Sequence, residues 1–318
     1  MLKSGDILDE KYEVIKLLGK GGMGTVYLCK NIILGNFWAI KEVKKNTKNI
    51  DVLTEAKIIK GLNHSGIRRI LEVFYVGNNL YMVQDYVDGQ TLKEYVNANG
   101  RMQTEKICRI TSDLCDIVGY LHNQNPAIIY RDIKPSNIMI TTSEKIVLID
   151  FGISKIYKSD TVKDTMCACS NGYAAPEQYG TGKSCTQTDI YGIGMLVYFM
   201  VKGRTPLTGI EPLLDENYEE YINEKLKTVI KKCVKIDIKD RYGSVEDLQK
   251  EISKISKKDK SQILGKGIIK KTVKGVSGLI VAILACIYIR HWNKKESEVM
   301  NTMDRTEIVV PIVGSLRI

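Results

Sequence analysis

The sequence predicts an α+β fold in which strands come first and helices follow. Short apolar segments rich in β-branched and aromatic residues, such as residues 12–18 and 37–41, are typical of strands. Residues 103–124 carry apolar side chains at the period of a helix, and the uncharged run 190–201 is too short to span a bilayer, which favours a buried helix. A polar stretch, residues 130–137, lies between two short apolar runs and is therefore a candidate functional site.

Length and charge limit the classes of protein that need to be considered. The 318 residues can accommodate one two-lobed domain of about 260 residues and an appendage, and a hydrophobic content of 44% is ample for a packed core. The net charge is +10, but residues 254–274 hold eight Lys against one Asp, so most of the basic excess is local. This distribution argues against a nucleic-acid-binding core, and we expect no nucleic-acid partner.

The cysteines predict neither a zinc site nor a disulfide framework. The eight Cys contain no paired C-x-x-C arrangement, and Cys167 and Cys169 are too close for the usual zinc knuckle. Residues 1–20 are mixed and charged, unlike a secretory signal. We therefore expect reduced thiols in a cytoplasmic body, and a redox role for Cys167 and Cys169 is the alternative.

The polar stretch contains three groups with complementary chemistry. Asp132 can accept a proton from a hydroxyl, Lys134 can neutralise a phosphate, and Asn137 offers a neutral oxygen to a hard metal ion. Phosphoryl transfer needs these three functions and little covalent chemistry. Taken alone, the stretch is equally compatible with a solvated turn, because the same residue types are common in loops.

A second polar group favours the site over the turn. Asp150, Phe151 and Gly152 follow the apolar run 146–149, which places a second carboxylate suitable for a metal at the end of a buried strand. Together with residues 130–137, this group resembles the catalytic loop and magnesium motif of the protein kinases. The resemblance implies a two-lobed α+β fold with a small β-rich N-lobe and a larger helical C-lobe.

The glycine-rich segment near the N-terminus fits the same family. Glycines 19, 21 and 24 allow the backbone to approach phosphates closely, although this pattern alone also fits a plain hairpin. A second strand follows it, whereas a Rossmann protein would have a helix. The resemblance implies that ATP is bound by a set of residues around this segment, namely Leu18, Gly19, Lys20, Gly21, Gly22, Met23, Gly24, Thr25, Val26 and Ala39.

Two further kinase features complete the predicted ATP site. Lys41 matches the family's Val-Ala-Ile-Lys motif and is assigned to the α- and β-phosphates, with Glu55 as its partner on a helix that Asp51 would cap. Asp85 and Val87 lie in the predicted hinge that binds adenine. Gln84 would be the gatekeeper, where a polar residue is less usual, so the nature of the back pocket stays open.

The resemblance also assigns the catalytic groups. It makes Asp132 the proton acceptor, Lys134 the residue that stabilises the transferring phosphoryl, and Asn137 and Asp150 the ligands of Mg²⁺, with Mn²⁺ as an alternative. Lys134 within Asp-x-Lys-x-x-Asn is the pattern of serine/threonine kinases. Tyr130 stands where most protein kinases have His, and we expect an aromatic side chain to fill the same packing role without loss of activity.

The activation segment would run from Asp150 to Glu177 of the Ala-Pro-Glu motif. Arg131 before the catalytic Asp marks kinases that are commonly activated by phosphorylation of this segment. Thr161 and Thr165 are the candidate autophosphorylation sites, and Ser170 occupies the position of a substrate-docking Thr. The alternative is a polar loop that contains Ser and Thr by composition.

Three C-lobe residues correspond to structural positions of the family. Asp189 would tie down the catalytic-loop backbone, and Arg241 would pair with Glu177. Ser244 and Asp247 form a capping-box start for the last helix. The resemblance covers residues 8–256, with the N-lobe at 8–86 and the C-lobe at 87–256.

Within the family the chain looks most like the bacterial eukaryotic-like (Hanks-type) serine/threonine kinases, many of which carry one membrane span after the kinase domain. Residues 275–292 are the candidate span here: a short uncharged run is bounded by Lys274 and Arg290, with Tyr288 and Trp292 as interface anchors. An extra helix packed on the C-lobe is the alternative. A basic linker, residues 257–274, precedes the span, and residues 293–318 form a tail too short for a folded sensor.

The sequence therefore predicts a single-pass kinase of the cell membrane whose catalytic domain faces the cytoplasm. It would transfer phosphate from ATP to Ser or Thr of protein substrates and form a homodimer for trans-autophosphorylation. A membrane-tethered pseudokinase, favoured only by Tyr130 and Gln84, is the first alternative. A small-molecule kinase is the second, and the complete Ala-Pro-Glu segment argues against it.

Overall fold

An antiparallel sheet of six strands forms the N-terminal part of the protein in this computed structural model. The structure describes residues 1–21, 24–44, 59–151, 155–156, 172–179, 182–214, 223–255 and 290. The order across the sheet is β1-β2-β3-β4-β6-β5. The strands are β1 (Ile7–Leu8), β2 (Tyr12–Gly21), β3 (Gly24–Asn31), β4 (Phe37–Lys44), β5 (Ile70–Val76) and β6 (Asn79–Asp85).

The pairing of β4 with β6 decides which side chains face the cleft below this sheet. Residues paired directly across two strands project from the same face, and successive residues alternate between faces. Ile40 pairs with Val83, and both belong to a core cluster on one face. Lys41 pairs with Met82 and therefore projects from the opposite face. The alternation explains how a single Lys can lie in an apolar strand without entering this core.

The C-terminal part is mainly helical. Its helices are α1 (Leu92–Asn99), α2 (Thr104–His122), α3 (Thr186–Lys202), α4 (Glu211–Leu214), α5 (Glu224–Cys233) and α6, which is described over residues 245–255. Two small antiparallel sheets accompany them, one in the order β10-β9-β7 and the other pairing β11 with β8. These strands are β7 (Gly89–Thr91), β8 (Ile128–Ile129), β9 (Ile138–Thr141), β10 (Ile146–Leu148) and β11 (Lys155–Ile156).

Local patterns predicted these elements well. The strands expected at 12–18 and 37–41 lie within β2 and β4, and the helix expected over 103–124 is α2. Every residue of the uncharged run 190–201 is buried in α3, which confirms a buried helix. The α+β prediction, with a β-rich N-lobe and a helical C-lobe, is confirmed. The helix expected from Asp51 through Glu55 lies outside the described residues.

The chain divides into two compact units, Met1–Lys257 and Lys258–Ile318, and only residue 290 of the second unit is described. Over the described part of the chain, none of the helices combines the length and apolar character needed to cross a membrane. The candidate span 275–292 lies outside the described residues apart from Arg290.

The contact between α3 and α5 requires a glycine. A Cβ added at Gly194 would lie 2.4 Å from the Cβ of Cys233, which is too close. A Cβ added at Gly119 of α2 has more space: the end of the exposed Glu246 side chain would lie 3.0 Å away and a Val245 methyl 3.4 Å away. We expect Gly194→Ala to lower the free energy of unfolding by about 1–3 kcal/mol through overpacking, although Ala is the better helix former. Urea denaturation measures this.

Gly119→Ala is the matched control. It makes the same change inside a helix, at a position where the neighbouring Glu246 side chain can move away. It should leave stability unchanged or raise it by up to about 1 kcal/mol. Equal losses in the two variants would show that the contact between α3 and α5 is not the cause.

Candidate active site

One buried carboxylate fixes the start of the polar stretch 130–137. Asp189, in the first turn of α3, accepts hydrogen bonds from the backbone N–H groups of Tyr130 at 2.9 Å and Arg131 at 2.7 Å. His122 Nε2 lies 2.8 Å from the same carboxylate. The backbone of the loop and the ring of His122 therefore meet at the same carboxylate.

Arg131 adopts an uncommon backbone conformation that these contacts maintain. Its φ of 70° lies in the left-handed region, which is unfavourable for a residue with a side chain. Asp189 holds its N–H, and the Nε2 of Gln178 donates a 2.9 Å hydrogen bond to its carbonyl. The peptide groups on both sides of Arg131 are therefore fixed, and the direction of Asp132 depends on them.

Asp132 is buried and oriented by two neighbours. The Nδ2 of Asn137 donates to its Oδ2 at 2.8 Å and to its backbone carbonyl at 3.1 Å. Lys134 Nζ lies 2.7 Å from the same Oδ2. The acid, the amine and the amide predicted to act together are thus in direct contact. They meet because a short 3-10 turn, Pro135–Asn137, folds the loop back before β9.

Lys41 and Asp150 meet across the cleft between the two lobes. The Nζ of the buried Lys41 lies 3.2 Å from Oδ1 of Asp150, which follows β10. The pair compensates a buried ammonium that would otherwise be costly. It also brings a group from the N-lobe sheet to a carboxylate of the C-lobe.

The oxygen donors at the site suit a hard divalent ion. Asp150 offers a carboxylate, and the hydrogen bonds of Asn137 to Asp132 use its Nδ2, which leaves Oδ1 as its side-chain acceptor. No cluster of three or more His, Cys, Asp or Glu side chains suited to a metal occurs in the described parts of the chain. One carboxylate and one amide match an ion held partly by substrate phosphates, as Mg²⁺ usually is.

The glycine-rich segment forms the end of the β2–β3 hairpin. Gly24 has a φ of 140°, and a Cβ there would lie 2.3 Å from the carbonyl oxygen of Glu42, so only glycine fits. Within the part of the chain that the structure describes, and apart from the adjacent residues, no atom lies within 4 Å of a Cβ built on Gly19 or Gly21, which leaves space on those residues for a ligand. Thr25 and Ala39 are buried nearby in β3 and β4.

The predicted hinge has one backbone group already in use. The N–H of Asp85 donates to the carbonyl of Arg69 at 3.1 Å, and the Asp85 carboxylate pairs with the Arg69 guanidinium at 3.0 Å. A base bound here would therefore not use the Asp85 N–H. Val87 follows in the partly buried connector.

The back of the cleft is polar. Gln84 is fully buried and its Nε2 contacts the sulfur of Met82. Its Oε1 has no hydrogen-bond partner among the described residues. A buried acceptor without a donor costs about 1–3 kcal/mol. Because Gln84 pairs with Ala39 across β4 and β6, it lies on the cleft side of the sheet with Lys41.

The side chain of Tyr130 belongs to the buried core of the C-lobe. Its ring is fully buried and meets Phe151 edge to face, with ring centroids 5.1 Å apart. Burial, followed by the nearby carboxylates of Asp132 and Asp150, raises the pKa of the phenol well above its usual value. The phenol is neutral at physiological pH, so it adds no charge beside Asp132.

Glu177 and Arg241 form a buried ion pair behind the site. The guanidinium of Arg241 donates to the two carboxylate oxygens of Glu177 at 2.7 and 2.8 Å, and Thr188 Oγ1 donates to Oε1 at 2.8 Å. Burial by itself would raise the pKa of Glu177, but the hydrogen bonds and charge of Arg241, a backbone hydrogen bond and the hydrogen bond from Thr188 together outweigh it, and the net pKa is lowered. The pair anchors the turn that carries Gln178.

Several contacts were not predicted from the sequence. His122, Gln178 and Thr188 support Asp189, Arg131 and Glu177, and the two residues of each contact lie 67, 47 and 11 positions apart along the chain respectively. Other predicted residues lie outside the described residues, namely Gly22, Met23, Glu55, Thr161, Thr165 and Ser170. The pairing of Lys41 with Glu55 therefore stays a prediction.

Comparison with known proteins identifies the class. Residues 12–262 match the model of the protein kinase domain, so the chain belongs to the protein kinase family. It is 29% identical over 272 residues to the probable serine/threonine-protein kinase PknB of Lactococcus lactis, covering 80% of this chain and 43% of that protein. It is also 29% identical over 266 residues to the serine/threonine-protein kinase PrkC of Bacillus subtilis, covering 78% of this chain and 41% of that protein.

A eukaryotic relative is covered more completely. Myosin light chain kinase A of Dictyostelium discoideum is 29% identical over 260 residues, which are 76% of this chain and 87% of that protein. The chain spans about two fifths of the length of the two bacterial relatives. The similarity to those two proteins therefore covers only part of each.

The buried ion pair predicts a stability loss that depends on pH. Glu177→Gln should lower the free energy of unfolding at pH 7 by about 3 kcal/mol, near the lower limit for breaking a buried pair, because Arg241 keeps backbone carbonyl partners. The pKa of Glu177 in the folded protein lies below its usual value of 4.5. The ionised carboxylate therefore stabilises the fold fully above pH 4.5, and this stabilisation is lost as the pH falls through the lowered pKa. Denaturant unfolding from pH 7 to pH 3 measures both effects.

Glu251→Gln is the matched control, since it makes the same change in an exposed pair with Lys254. It should cost at most about 1 kcal/mol. Equal losses of unfolding free energy in Glu177→Gln and Glu251→Gln would contradict a stabilising role of the buried ion pair. A difference between the two losses that does not become smaller towards pH 3 would contradict it as well.

Proposed function

We propose that this chain is a serine/threonine protein kinase that transfers the γ-phosphate of ATP to Ser or Thr side chains of proteins. The proposal rests on the buried Asp132, whose carboxylate is held by Lys134 and Asn137 of the same loop. It faces the cleft in which Lys41 and Asp150 form an ion pair. Membership of the protein kinase family supports the same reaction. The names of the bacterial relatives support Ser and Thr as acceptors.

Each residue of the site has a defined task in this proposal. Asp132 accepts the proton of the attacking hydroxyl, and its hydrogen bond from Asn137 keeps the accepting oxygen in position. Lys134 supplies positive charge where negative charge develops on the transferring group. Lys41 holds the α- and β-phosphates, positioned by Glu55, while residues 18–26 cover them and Asp85 to Val87 bind adenine through the backbone. Fixed positions of this kind account for most of the catalysis of phosphoryl transfer.

Protein kinases use a divalent cation, and we propose Mg²⁺, with Mn²⁺ as an alternative. Asn137 and Asp150 would hold it by their side-chain oxygens. When bound, the ion supplies charge neutralisation at the phosphates. The ion pair of Asp150 with Lys41 keeps the carboxylate at the phosphate-binding side of the cleft.

Regulation and location form the remaining parts of the proposal. Arg131 would pair with a phosphate on Thr161 or Thr165, made by a second copy of the chain in a homodimer. Residues 275–292 would cross the cell membrane once, with residues 8–256 as a kinase domain in the cytoplasm and residues 257–274 as a basic linker. The support is the uncharged run 275–289 between Lys274 and Arg290.

Activity is tested with the purified full-length chain, ATP and Mg²⁺. Asp132→Asn should reduce phosphate incorporation into a generic protein substrate and into the chain itself at least about 100-fold, because the proton acceptor is removed. Mapping should find the parent's own phosphate on Thr161 or Thr165. Asp6→Asn, the same change at an exposed position, is the control and should retain activity.

Absence of labelling in the parent, despite measurable ATP binding, would contradict the proposal. The membrane-tethered pseudokinase, the alternative to which Tyr130 and Gln84 point, would then be supported.

Membrane attachment is tested by fractionating cells that express the full-length chain. We expect it in the membrane fraction and resistant to extraction by carbonate, because a spanning helix is held by its apolar surface and not by charge. Replacing Leu279 and Leu284 by Lys should release it, since each buried charge near the middle of a span costs about 3 kcal/mol. Release of the parent chain by carbonate would refute the span.

A further inference from the structure

One buried hydrogen-bond acceptor on the cleft side of the N-lobe sheet lacks a donor. The side chain of Gln84 is fully buried, and its Oε1 has no hydrogen-bond partner among the residues that the structure describes. Nearly all buried polar groups in folded proteins are paired, so an exception calls for an explanation. A buried oxygen that finds no donor within the protein is suited to receive one from a ligand.

The strand pairing places this side chain where the base of a bound nucleotide would lie. Gln84 pairs with Ala39 across β6 and β4, so both side chains project from the same face as Lys41, which reaches Asp150 in the cleft. Ala39 is two residues, or about 7 Å, from Lys41 along the strand, and its small side chain leaves room for a flat ring. With Lys41 at the phosphates and the connector 85–87 directly after Gln84, the base lies towards Gln84.

The surrounding contacts make this wall an acceptor of hydrogen bonds. The Nε2 of Gln84 contacts the sulfur of Met82 at 2.6 Å, so the donor end of the amide is already engaged. The N–H of the next residue, Asp85, donates to the carbonyl of Arg69 at 3.1 Å. Neither of these two donors is left for a base, whereas the Oε1 of Gln84 is. The wall is therefore complementary to a ligand that donates.

The group at position 6 of a purine decides how the purine meets such a wall. Adenine carries an amino group there, and its two N–H bonds can serve Gln84 Oε1 and a backbone carbonyl of the connector together. Guanine carries an oxygen at the same position, which would place one acceptor against another. A site built to accept a hydrogen bond discriminates against analogues without the donor, because its own buried group then stays unpaired.

We propose that Gln84 determines the nucleotide specificity of this kinase by accepting a hydrogen bond from the 6-amino group of adenine. This inference rests on the proposed kinase function, and it adds a side-chain contact to the backbone contacts of the connector. ATP is selected over GTP and ITP as the phosphate donor because the donor that Gln84 Oε1 lacks is supplied by the base.

The test measures nucleotide binding to the full-length chain by titration calorimetry in the presence of Mg²⁺. The ligands are ADP and purine riboside 5′-diphosphate, which lacks only the 6-amino group, so no phosphate is transferred during the measurement. The dissociation constant of the parent should be about 10- to 100-fold lower for ADP. In Gln84→Met, which keeps an unbranched side chain of similar length, this ratio should fall about 10-fold because one hydrogen bond is lost.

Gln103→Met is the matched control, because it makes the same change on an exposed side chain that forms no capping hydrogen bond at the start of α2. It should keep the parent's ratio. Equal affinities of the parent for the two ligands, or an unchanged ratio in Gln84→Met, would overturn this inference while phosphorylation of a generic protein by the parent still upheld the kinase function. Failure of the parent to bind ADP and to phosphorylate any substrate would overturn both.

Thermal unfolding of the nucleotide-free chain gives a second readout that does not depend on binding. Gln84→Met should raise the midpoint of unfolding by about 2–4 °C, because it removes a buried acceptor that has no donor. The same change should thus stabilise the chain without nucleotide and weaken its affinity for ADP. An unchanged or lower midpoint would show that the Oε1 of Gln84 is satisfied within the protein and would overturn the inference.

Discussion

The three hydrogen bonds to the buried carboxylate of Asp189 are the constraint on which the active-site loop depends. They hold the backbone N–H groups of Tyr130 and Arg131, and His122 fixes the carboxylate from the other side. Arg131 can then remain in the left-handed region, which isolated chains avoid. Because Asp132 is the next residue, its direction follows from a conformation that only the surrounding fold maintains.

The same end of α3 organises the rest of the substrate side. Thr188, next to Asp189, donates to Glu177, and Arg241 closes the ion pair behind it. The turn that Glu177 anchors presents Gln178 to the carbonyl of Arg131. Three residues after Thr188 in α3, the hydroxyl of Tyr191 donates to the carbonyl of Gly209 at 2.6 Å. The active-site loop, the turn that carries Gln178 and the segment of Gly209 are therefore all held by one buried helix.

Electrostatic pairing explains how the cleft can be both buried and charged. The buried Lys41 lies beside Asp150, and the buried Asp132 beside Lys134, so each of these two charges has an opposite charge within about hydrogen-bond distance. The neutral Oε1 of Gln84 also lies on the cleft side of the sheet, and it has no hydrogen-bond donor among the residues that the structure describes. The back of this cleft is therefore more polar than the aliphatic sheet around it would suggest.

The sequence by itself determined the order of strands and helices and the positions of Asp132, Lys134, Asn137 and Asp150, because periodicity and the spacing of polar groups are local properties. Only the tertiary structure decided which distant groups support them. His122 and Asp189 are 67 residues apart, and their hydrogen bond has no local signature. Likewise, Gln178 and Arg131 are 47 residues apart, and their hydrogen bond depends on how the turn of Gln178 packs against the loop, which neither local sequence reveals.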